Sequence, residues 1–272
     1  GYRYAALGYT TAMEAAVTNT LSPGDHVAIV NAGKFGERWV EICRTFGARV
    51  TSVDVEWGRA VEPAAVAAVL EANPDIRAIL VQASETSTTV LHPVAELGKL
   101  TRERECLLIV DGITSVGVLD LPMDTVGIDV LVSGSQKGLM LPPGLSLIAL
   151  SEKAWRFQPR AKLPRYYFDL AKERDDLAKN TTTYTPPISL IVGLQPVLTA
   201  LAAGRVGAAP HAVRPRRARP PTVRAPLGLA LSIRGLHATG APAHGLLRAA
   251  GTVARRYCRL GERIGRRWSG AR

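Results

Sequence analysis

Two polar residues occupy positions at which a parallel α/β sheet binds its ligands. Asp111 directly follows the apolar run at residues 106–110, and ligands of such sheets collect beyond the carboxyl ends of the strands. Lys137 lies 26 residues later, after a second apolar run, within the segment Ser-Gly-Ser-Gln-Lys-Gly. Small neighbours let the backbone approach a ligand closely, and a confined lysine can lose its proton and attack a carbonyl.

Each of these residues alone has a simpler interpretation, since Asp111 could cap the next turn and Lys137 could be an ordinary solvated side chain. Together they are the pair that a pyridoxal-phosphate site requires. The lysine forms the Schiff base, and the aspartate keeps the pyridine nitrogen protonated so that the ring can accept electrons. The pair therefore predicts pyridoxal 5′-phosphate as the cofactor. We expect no metal site, because the three cysteines are widely spaced and show no metal-ligand spacing.

The elements that would position this pair alternate between strand and helix. The predicted strands cover residues 26–30, 49–55, 76–81, 106–110, 128–132 and 145–150. The predicted helices cover residues 11–20, 34–46, 63–73 and 93–104. Strands that alternate with helices of this length indicate βαβ units. We therefore predict an α/β fold with a mainly parallel sheet flanked by helices.

Charge divides the chain into two parts. The 272 residues carry a net charge of +11, but residues 203–272 hold 15 Arg and a single Glu, which leaves residues 1–202 slightly acidic. Five prolines between residues 210 and 226 exclude a helix or an interior strand there. We expect residues 1–202 to form one domain. Residues 203–272 form an atypical Arg/Ala/Pro/Gly-rich tail, which is either disordered or altered by a reading-frame slip.

Composition also limits the partners and the compartment. The sequence contains no run of about 18 apolar residues, which argues against a membrane span. Dense arginine could bind polyanions through their phosphates, but Tyr257 and Trp268 are the tail's only aromatic residues, so we expect no nucleic-acid partner. The odd number of cysteines and the absence of a visible secretory leader favour the cytoplasm.

The segment VDGITSVGVLDLPMDTVGIDVLVSGSQKGLMLPPGLSLIALS, residues 110–151, closely resembles the class V, fold type I pyridoxal-phosphate aminotransferases. The nearest group is the alanine/serine–glyoxylate type, and the resemblance extends from about residue 5 to about residue 201. It implies the large, cofactor-binding domain of that fold, with an incomplete N-terminal arm. It also implies a homodimer, and a small C-terminal domain that is missing or replaced by the tail.

The resemblance implies roles for the residues around the cofactor ring. Lys137 would form the Schiff base and move a proton between the substrate α-carbon and C4′ of the cofactor. Asp111 would pair with the pyridine nitrogen, and Ile113 would pack under the ring. Phe35 would stack on the ring and Ser87 would lie near its hydroxyl, although position alone also fits a core aromatic and a Ser/Thr-rich turn.

The phosphate would be bound by Gln136 and by the turn Gly8-Tyr9-Thr10, which precedes the first predicted helix. Backbone N–H groups and the helix dipole favour an anion at such a position. Tyr9 stands where the family usually has glycine, which would weaken the binding. Residues 183–185 resemble the segment that reaches the phosphate of the partner subunit, and the sequence does not select one residue among the three.

The resemblance thus implies a transaminase that moves an amino group from alanine or serine to a 2-oxo acid such as glyoxylate. No arginine of the tail matches the family's clamp for the substrate carboxylate, so none is assigned. A lyase of the cysteine desulfurase type is one alternative, which Gln136 and the placement of the cysteines oppose. The other alternative is a truncated, inactive protein whose tail binds polyanions nonspecifically.

Overall fold

The computed structural model describes residues 2–6 and 10–202. The predicted phosphate-turn residues Gly8 and Tyr9 lie outside the described residues, as does the tail at 203–272. Seven strands form one sheet in the order β1-β9-β8-β7-β4-β2-β3, and β5 pairs with β6 in a separate hairpin. The strands are β1 (Tyr2–Ala6), β2 (His26–Asn31), β3 (Arg49–Asp54), β4 (Ile76–Gln82), β5 (Ser84–Glu85), β6 (Val90–Leu91), β7 (Leu107–Asp111), β8 (Val130–Gly134) and β9 (Leu145–Leu150).

Helices cover both faces of the sheet. The helices are α1 (Thr10–Thr20), α2 (Lys34–Thr45), α3 (Pro63–Ala72), α4 (Val94–Thr101), α5 (Met123–Val126), α6 (Glu152–Phe157), α7 (Leu170–Ala178) and α8 (Ile188–Ala202), with a 3-10 turn at Gln158–Arg160. Strands β3, β2, β4, β7 and β8 run parallel, β9 is antiparallel to β8, and β1 is antiparallel to β9. The predicted α/β fold with a mainly parallel sheet is confirmed.

Alternation along the strands divides the core between the two faces. Ile29, Leu80 and Ile109 pack in the cluster that contains α1 and α2, whereas their neighbours Val81 and Val110 pack in the cluster that contains α3 and α4. We call these sides the α1–α2 face and the α3–α4 face. Because successive side chains of a strand point to opposite faces, the face of each strand-end residue follows from this pattern.

The connections reverse direction in the middle of the sheet. Strand β2 continues through α2, on the α1–α2 face, to β3. The neighbouring strand β4 leads through α4, on the α3–α4 face, towards β7 on the other side. Where the helices of adjacent parallel strands leave on opposite faces, a crevice opens beyond the carboxyl ends of the strands. The fold therefore provides such a crevice beyond β2 and β4.

Local signals placed most element ends to within a few residues. Gly47, with φ +77°, follows α2, as expected for a helix that ends at glycine. The helix predicted for residues 93–104 ends earlier, at Thr101, because the exposed charged residues 102–105 form a turn in which Arg102 donates to the Thr125 carbonyl at 3.0 Å. The β5–β6 hairpin was not predicted. Among the described residues, no helix has the length and apolar character needed to cross a membrane.

Candidate active site

The carboxyl ends of β4 and β7 bring two polar side chains together on the α1–α2 face. Gln82 and Asp111 are Cα partners in the parallel ladder, and the alternation of Leu80 and Ile109 places both on this face. Asp111 is 2% exposed and Gln82 is fully buried. The Asp111 carboxylate accepts the N–H of Ile113 at 2.9 Å. Asp111 therefore caps its own turn, as the simpler interpretation expected, and also places a buried charge at the ligand-binding edge.

The turn that carries Lys137 is in direct contact with the turn that follows Asp111. A Cβ added to Gly138 would overlap the Val116 carbonyl oxygen and lie 2.8 Å from Val118 Cγ2, so only glycine allows this approach. Gly112 also donates its N–H to the Val132 carbonyl of β8 at 2.8 Å. Two residues that lie far apart in sequence are thereby held on adjoining turns, and the Lys137 side chain is exposed.

Several buried polar atoms near these turns have no hydrogen-bond partner within the described part of the chain. They include both amide atoms of Gln82 and Oε1 of Gln136, together with the hydroxyl oxygens of Ser115 and Ser133. Burying an amide without a partner costs about 1–3 kcal/mol, so each such atom needs an explanation, of which an absent ligand is one. The residues at these strand ends fit pyridoxal phosphate. Asp111 can hold a protonated ring nitrogen, Lys137 can supply a primary amine and Gln136 can bind a polar substituent.

Helix α1 begins beside β9, the neighbour of β8 in the sheet. Thr10 is its first residue and is half-buried, and Thr11 Oγ1 lies 2.8 Å from Ser146 Oγ on β9. This contact anchors the start of the helix against the sheet. The first N–H groups of a helix have no partner inside it, and together with the dipole they favour a phosphate. Thr10 therefore lies at a helix N-terminus that suits an anion.

Phe35 and Ser87 meet at the crevice beyond β2 and β4. Phe35 lies in the first turn of α2 and packs, half-buried, against the core of the α1–α2 face. Ser87 is exposed in the turn between β5 and β6, and its hydroxyl accepts the Lys34 N–H at 3.0 Å. The core-aromatic and polar-turn interpretations thus describe their surroundings correctly, and the fold still places both residues where a ligand would bind.

The segment containing Ser87 is also tied to the turn after Asp111. Ala83 donates its N–H to the Asp111 carbonyl at 2.8 Å. The Thr114 hydroxyl donates to the Ser84 carbonyl at 3.3 Å and accepts from Thr86 Oγ1 at 3.3 Å. The structure therefore brings together the predicted residues of three strand ends.

Sequence reasoning gave no role to Glu85, although this residue organises the crevice. Its side chain is fully buried and accepts hydrogen bonds from the N–H groups of Phe35 and Gly36, both at 3.1 Å. It also accepts from Ser87, through the N–H at 3.1 Å and through the hydroxyl. The sequence signal available was a carboxylate between an apolar strand and a Thr-Ser-Thr run, which indicates a polar turn at the ligand-binding edge but not the partners of Glu85.

Residues 183–185 form contacts within their own chain. The Thr183 hydroxyl donates to Asp176 at 2.9 Å, a hydrogen bond that lowers the pKa of that carboxyl group. The Tyr184 hydroxyl donates to the Tyr166 carbonyl at 3.0 Å, and its ring stacks on Tyr167 with centroids 4.7 Å apart.

The described cysteines do not resemble reactive thiols. Cys43 and Cys106 are buried, and burial raises the pKa of each to about 12. A thiol with such a pKa is not a nucleophile near neutral pH. This chemistry counts against a desulfurase-type reaction at either residue.

A cavity of about 760 Å³ opens elsewhere, lined by Arg77, Phe157, Arg160 and Lys162 among others. The guanidinium carbons of Arg77 and Arg160 lie 4.6 and 4.5 Å from the centroid of the Phe157 ring. Both arginines of the lining are thus engaged with an aromatic ring, and we assign the cavity no ligand.

In this mainly parallel sheet, a buried aspartate ends β7 and a lysine follows the neighbouring strand β8. This arrangement is that of a fold type I pyridoxal-phosphate protein. The sequence model of the Aminotransferase class-V family matches residues 7–213, and the chain belongs to this family, whose cofactor is pyridoxal phosphate.

Relatives match this chain over about 190 residues, and they carry aminotransferase names as well as a hydrogenase-subunit name. The soluble hydrogenase 42 kDa subunit of Anabaena cylindrica is 46% identical over 192 residues, which are 70% of this chain and 50% of that protein. The L-aspartate–glyoxylate aminotransferase of Paracoccus denitrificans is 41% identical over 189 residues, 68% and 48% of the two chains. The crystal structure of an alanine–glyoxylate aminotransferase from Nostoc sp. matches with a TM-score of 0.71 and 32% identity, over 74% of this chain and 54% of that one. The chain spans about half the length of the curated relatives it matches.

Proposed function

We propose that this chain carries the cofactor-binding part of a transaminase that moves an amino group from a small amino acid to a 2-oxo acid, with Lys137 joined to pyridoxal phosphate as a Schiff base. The observation that carries the proposal is the backbone contact between the turns of Lys137 and Asp111, made through Gly138 and Val116. It supplies an amine and a buried carboxylate on adjoining strand ends, beside buried amide atoms that lack partners.

Each residue would contribute a distinct interaction. Asp111 would hold the proton of the ring nitrogen, and Ile113 would pack against the ring. Lys137 would hold the cofactor and carry a proton to and from the substrate α-carbon. Gln136 and Thr10, at the start of α1, would bind the phosphate. When bound, the cofactor supplies an electron-withdrawing pyridine ring that stabilises negative charge at the substrate α-carbon.

Phe35 and Ser87 would complete the site from the other side of the crevice, against the ring face and the ring hydroxyl. Both belong to one hydrogen-bonded group, since Glu85 accepts from the backbone of Phe35 and from Ser87. A rigid arrangement of this kind limits the ordering cost of binding a flat ligand.

Glyoxylate is the proposed acceptor, because the Paracoccus and Nostoc relatives both carry it in their names. Alanine or serine is the proposed donor. We also propose that the protein acts in the cytoplasm as a homodimer.

The first experiment would incubate the purified 272-residue chain with pyridoxal phosphate, record the visible spectrum, reduce with borohydride and map the modified peptide. We expect a cofactor absorption band, and a reduced adduct on Lys137 that Lys137→Ala abolishes. Lys99→Ala is the matched control, because Lys99 is an exposed lysine of α4 remote from the site. A colourless protein with unmodified Lys137 would refute the proposal and support the inactive alternative.

A further inference from the structure

The carboxyl group of Glu85 is surrounded by hydrogen-bond donors. One oxygen accepts the N–H groups of Phe35 and Gly36, and the other accepts the N–H and the hydroxyl of Ser87. An ionised carboxylate, which only accepts hydrogen bonds, satisfies every one of these neighbours. The charge lies at the N-terminus of the twelve-residue helix α2, where the helix dipole favours an anion.

The first turn of α2 packs directly on this carboxylate. A Cβ added to Gly33, the residue before the helix, would overlap Ser87 Oγ and lie 2.7 Å from the Glu85 carboxyl carbon. Glu85 is fully buried, so water does not replace its partners. One shared side chain therefore links the positions of Phe35 and Ser87.

The same contacts fix the direction of the Ser87 hydrogen bonds. The single hydroxyl hydrogen points to Glu85, and one lone pair of the oxygen accepts the Lys34 N–H at 3.0 Å. A serine hydroxyl has two lone pairs, so one remains for a ligand. Ser87 can accept a hydrogen bond from a ligand in this arrangement, and it has no hydrogen left to donate.

We infer that Glu85 is a positioning residue for the cofactor: it holds the first turn of α2, and hence Phe35, against the crevice, and it orients Ser87 so that the hydroxyl accepts a hydrogen bond from the ring hydroxyl. The inference rests on the proposed function, because it needs the cofactor to bind here. Glu85 itself is covered by its protein partners and does not touch the cofactor.

The structural half of the inference is tested without cofactor, by amide hydrogen exchange on the full chain. In Glu85→Gln, the side-chain NH2 group faces Ser87 and cannot accept its N–H, and the remaining oxygen accepts the N–H groups of Phe35 and Gly36 more weakly because it has lost its charge. The amides of Phe35, Gly36 and Ser87 should therefore exchange faster while the rest of α2 keeps its protection. Glu85→Asp keeps the charge and should recover part of the protection. Glu41→Gln removes one exposed carboxylate of the same helix and should exchange as the wild type does.

The functional half is tested by titrating the same variants with pyridoxal phosphate. We expect Glu85→Gln to raise the dissociation constant roughly tenfold and Glu41→Gln to leave it unchanged. A Ser87 hydroxyl freed from Glu85 can donate, which stabilises the ionised ring hydroxyl. The spectral transition of the bound cofactor should therefore move to lower pH in Glu85→Gln.

The outcomes separate the two proposals. If the amides of α2 exchange at the wild-type rate in Glu85→Gln, Glu85 does not hold the helix and the inference is wrong. If exchange accelerates but the dissociation constant and the spectral transition stay at wild-type values, the inference is also wrong, and the proposed function stands. If the wild-type chain takes up no cofactor, both proposals fail, even where the exchange pattern persists.

Discussion

Replacing Gly138 with alanine tests the contact on which the proposed site depends. The added Cβ would overlap the Val116 carbonyl oxygen and lie 2.8 Å from Val118 Cγ2. A backbone oxygen cannot rotate away as the end of a flexible side chain can. The turn that carries Lys137 must therefore move away from the turn that follows Asp111.

The size of the effect follows from the distances. Ordinary contact begins at 3.4 Å, so the two turns must separate by roughly 1 Å, and overpacking of this kind costs about 1–3 kcal/mol. In a domain of about 200 residues each kcal/mol lowers Tm by about 2–4 °C. A displacement of about 1 Å can reduce catalysis on the order of a hundredfold, and we expect cofactor capture by Lys137 to weaken by at least about tenfold.

The assay pairs thermal unfolding with cofactor titration at a temperature at which each variant is folded. Gly98→Ala is the control: a Cβ at Gly98 would overlap the Val126 carbonyl oxygen, a conflict of the same kind between α4 and α5. We expect both variants to lose stability and only Gly138→Ala to lose affinity for pyridoxal phosphate. Wild-type affinity in a destabilised Gly138→Ala protein would refute the reasoning, as would an equal loss in Gly98→Ala.

Three further predictions concern single side chains. Asp111→Asn keeps an oxygen for the turn but removes the charge, so unfolding in urea should change little while the dissociation constant of pyridoxal phosphate rises roughly tenfold to a hundredfold, as expected for one charge-assisted hydrogen bond. Burial lowers the pKa of His92 to about 4. The unfolded chain therefore binds a proton that the folded protein excludes, and about 3 kcal/mol of stability should be lost as pH falls from about 6.5 to about 4. His92 Nδ1 accepts the Val61 N–H at 3.1 Å. His92→Gln, which can still accept it, should flatten that part of the stability profile in urea titrations, and an unchanged slope would contradict the assignment. Lys153 Nζ lies 3.5 Å from the carboxylate of the buried Asp129, so Lys153→Met should lower the free energy of unfolding by about 3–5 kcal/mol. Adding Asp129→Asn should restore part of this loss, and the folded variant should bind the cofactor with wild-type affinity.

The sequence predicted the layers of this fold better than their details, for a physical reason. Apolar runs bounded by polar residues identify buried strands, and the run at residues 106–110 became β7 (Leu107–Asp111) with a shift of one residue. The run at 128–132 became β8 (Val130–Gly134), because apolar character alone does not show where a ladder begins. Strands of two residues, such as β5 and β6, carry no periodicity and could not be predicted.

The same limit applies to the site. Asp111 and Lys137 could be predicted because they follow apolar runs whose ends meet at one edge of a parallel sheet. Glu85 could not, since its role depends on the backbone N–H groups of α2, which approach it only after the chain has folded. The contact of Gly138 with the Val116 carbonyl is also tertiary, although glycine beside the lysine had indicated a close backbone approach.

These contacts separate cofactor capture from turnover as two measurable properties. The described residues assigned to the cofactor lie between Thr10 and Lys137, and those at the strand ends are joined by backbone hydrogen bonds and glycine contacts. No residue within this range is assigned to the carboxylate of an amino-acid substrate. Cofactor uptake therefore tests only the arrangement of the residues that bind the cofactor, whereas transamination also tests whatever binds the substrate. A chain that forms the Lys137 adduct without exchanging amino groups would support the site as described and place the missing function in substrate binding.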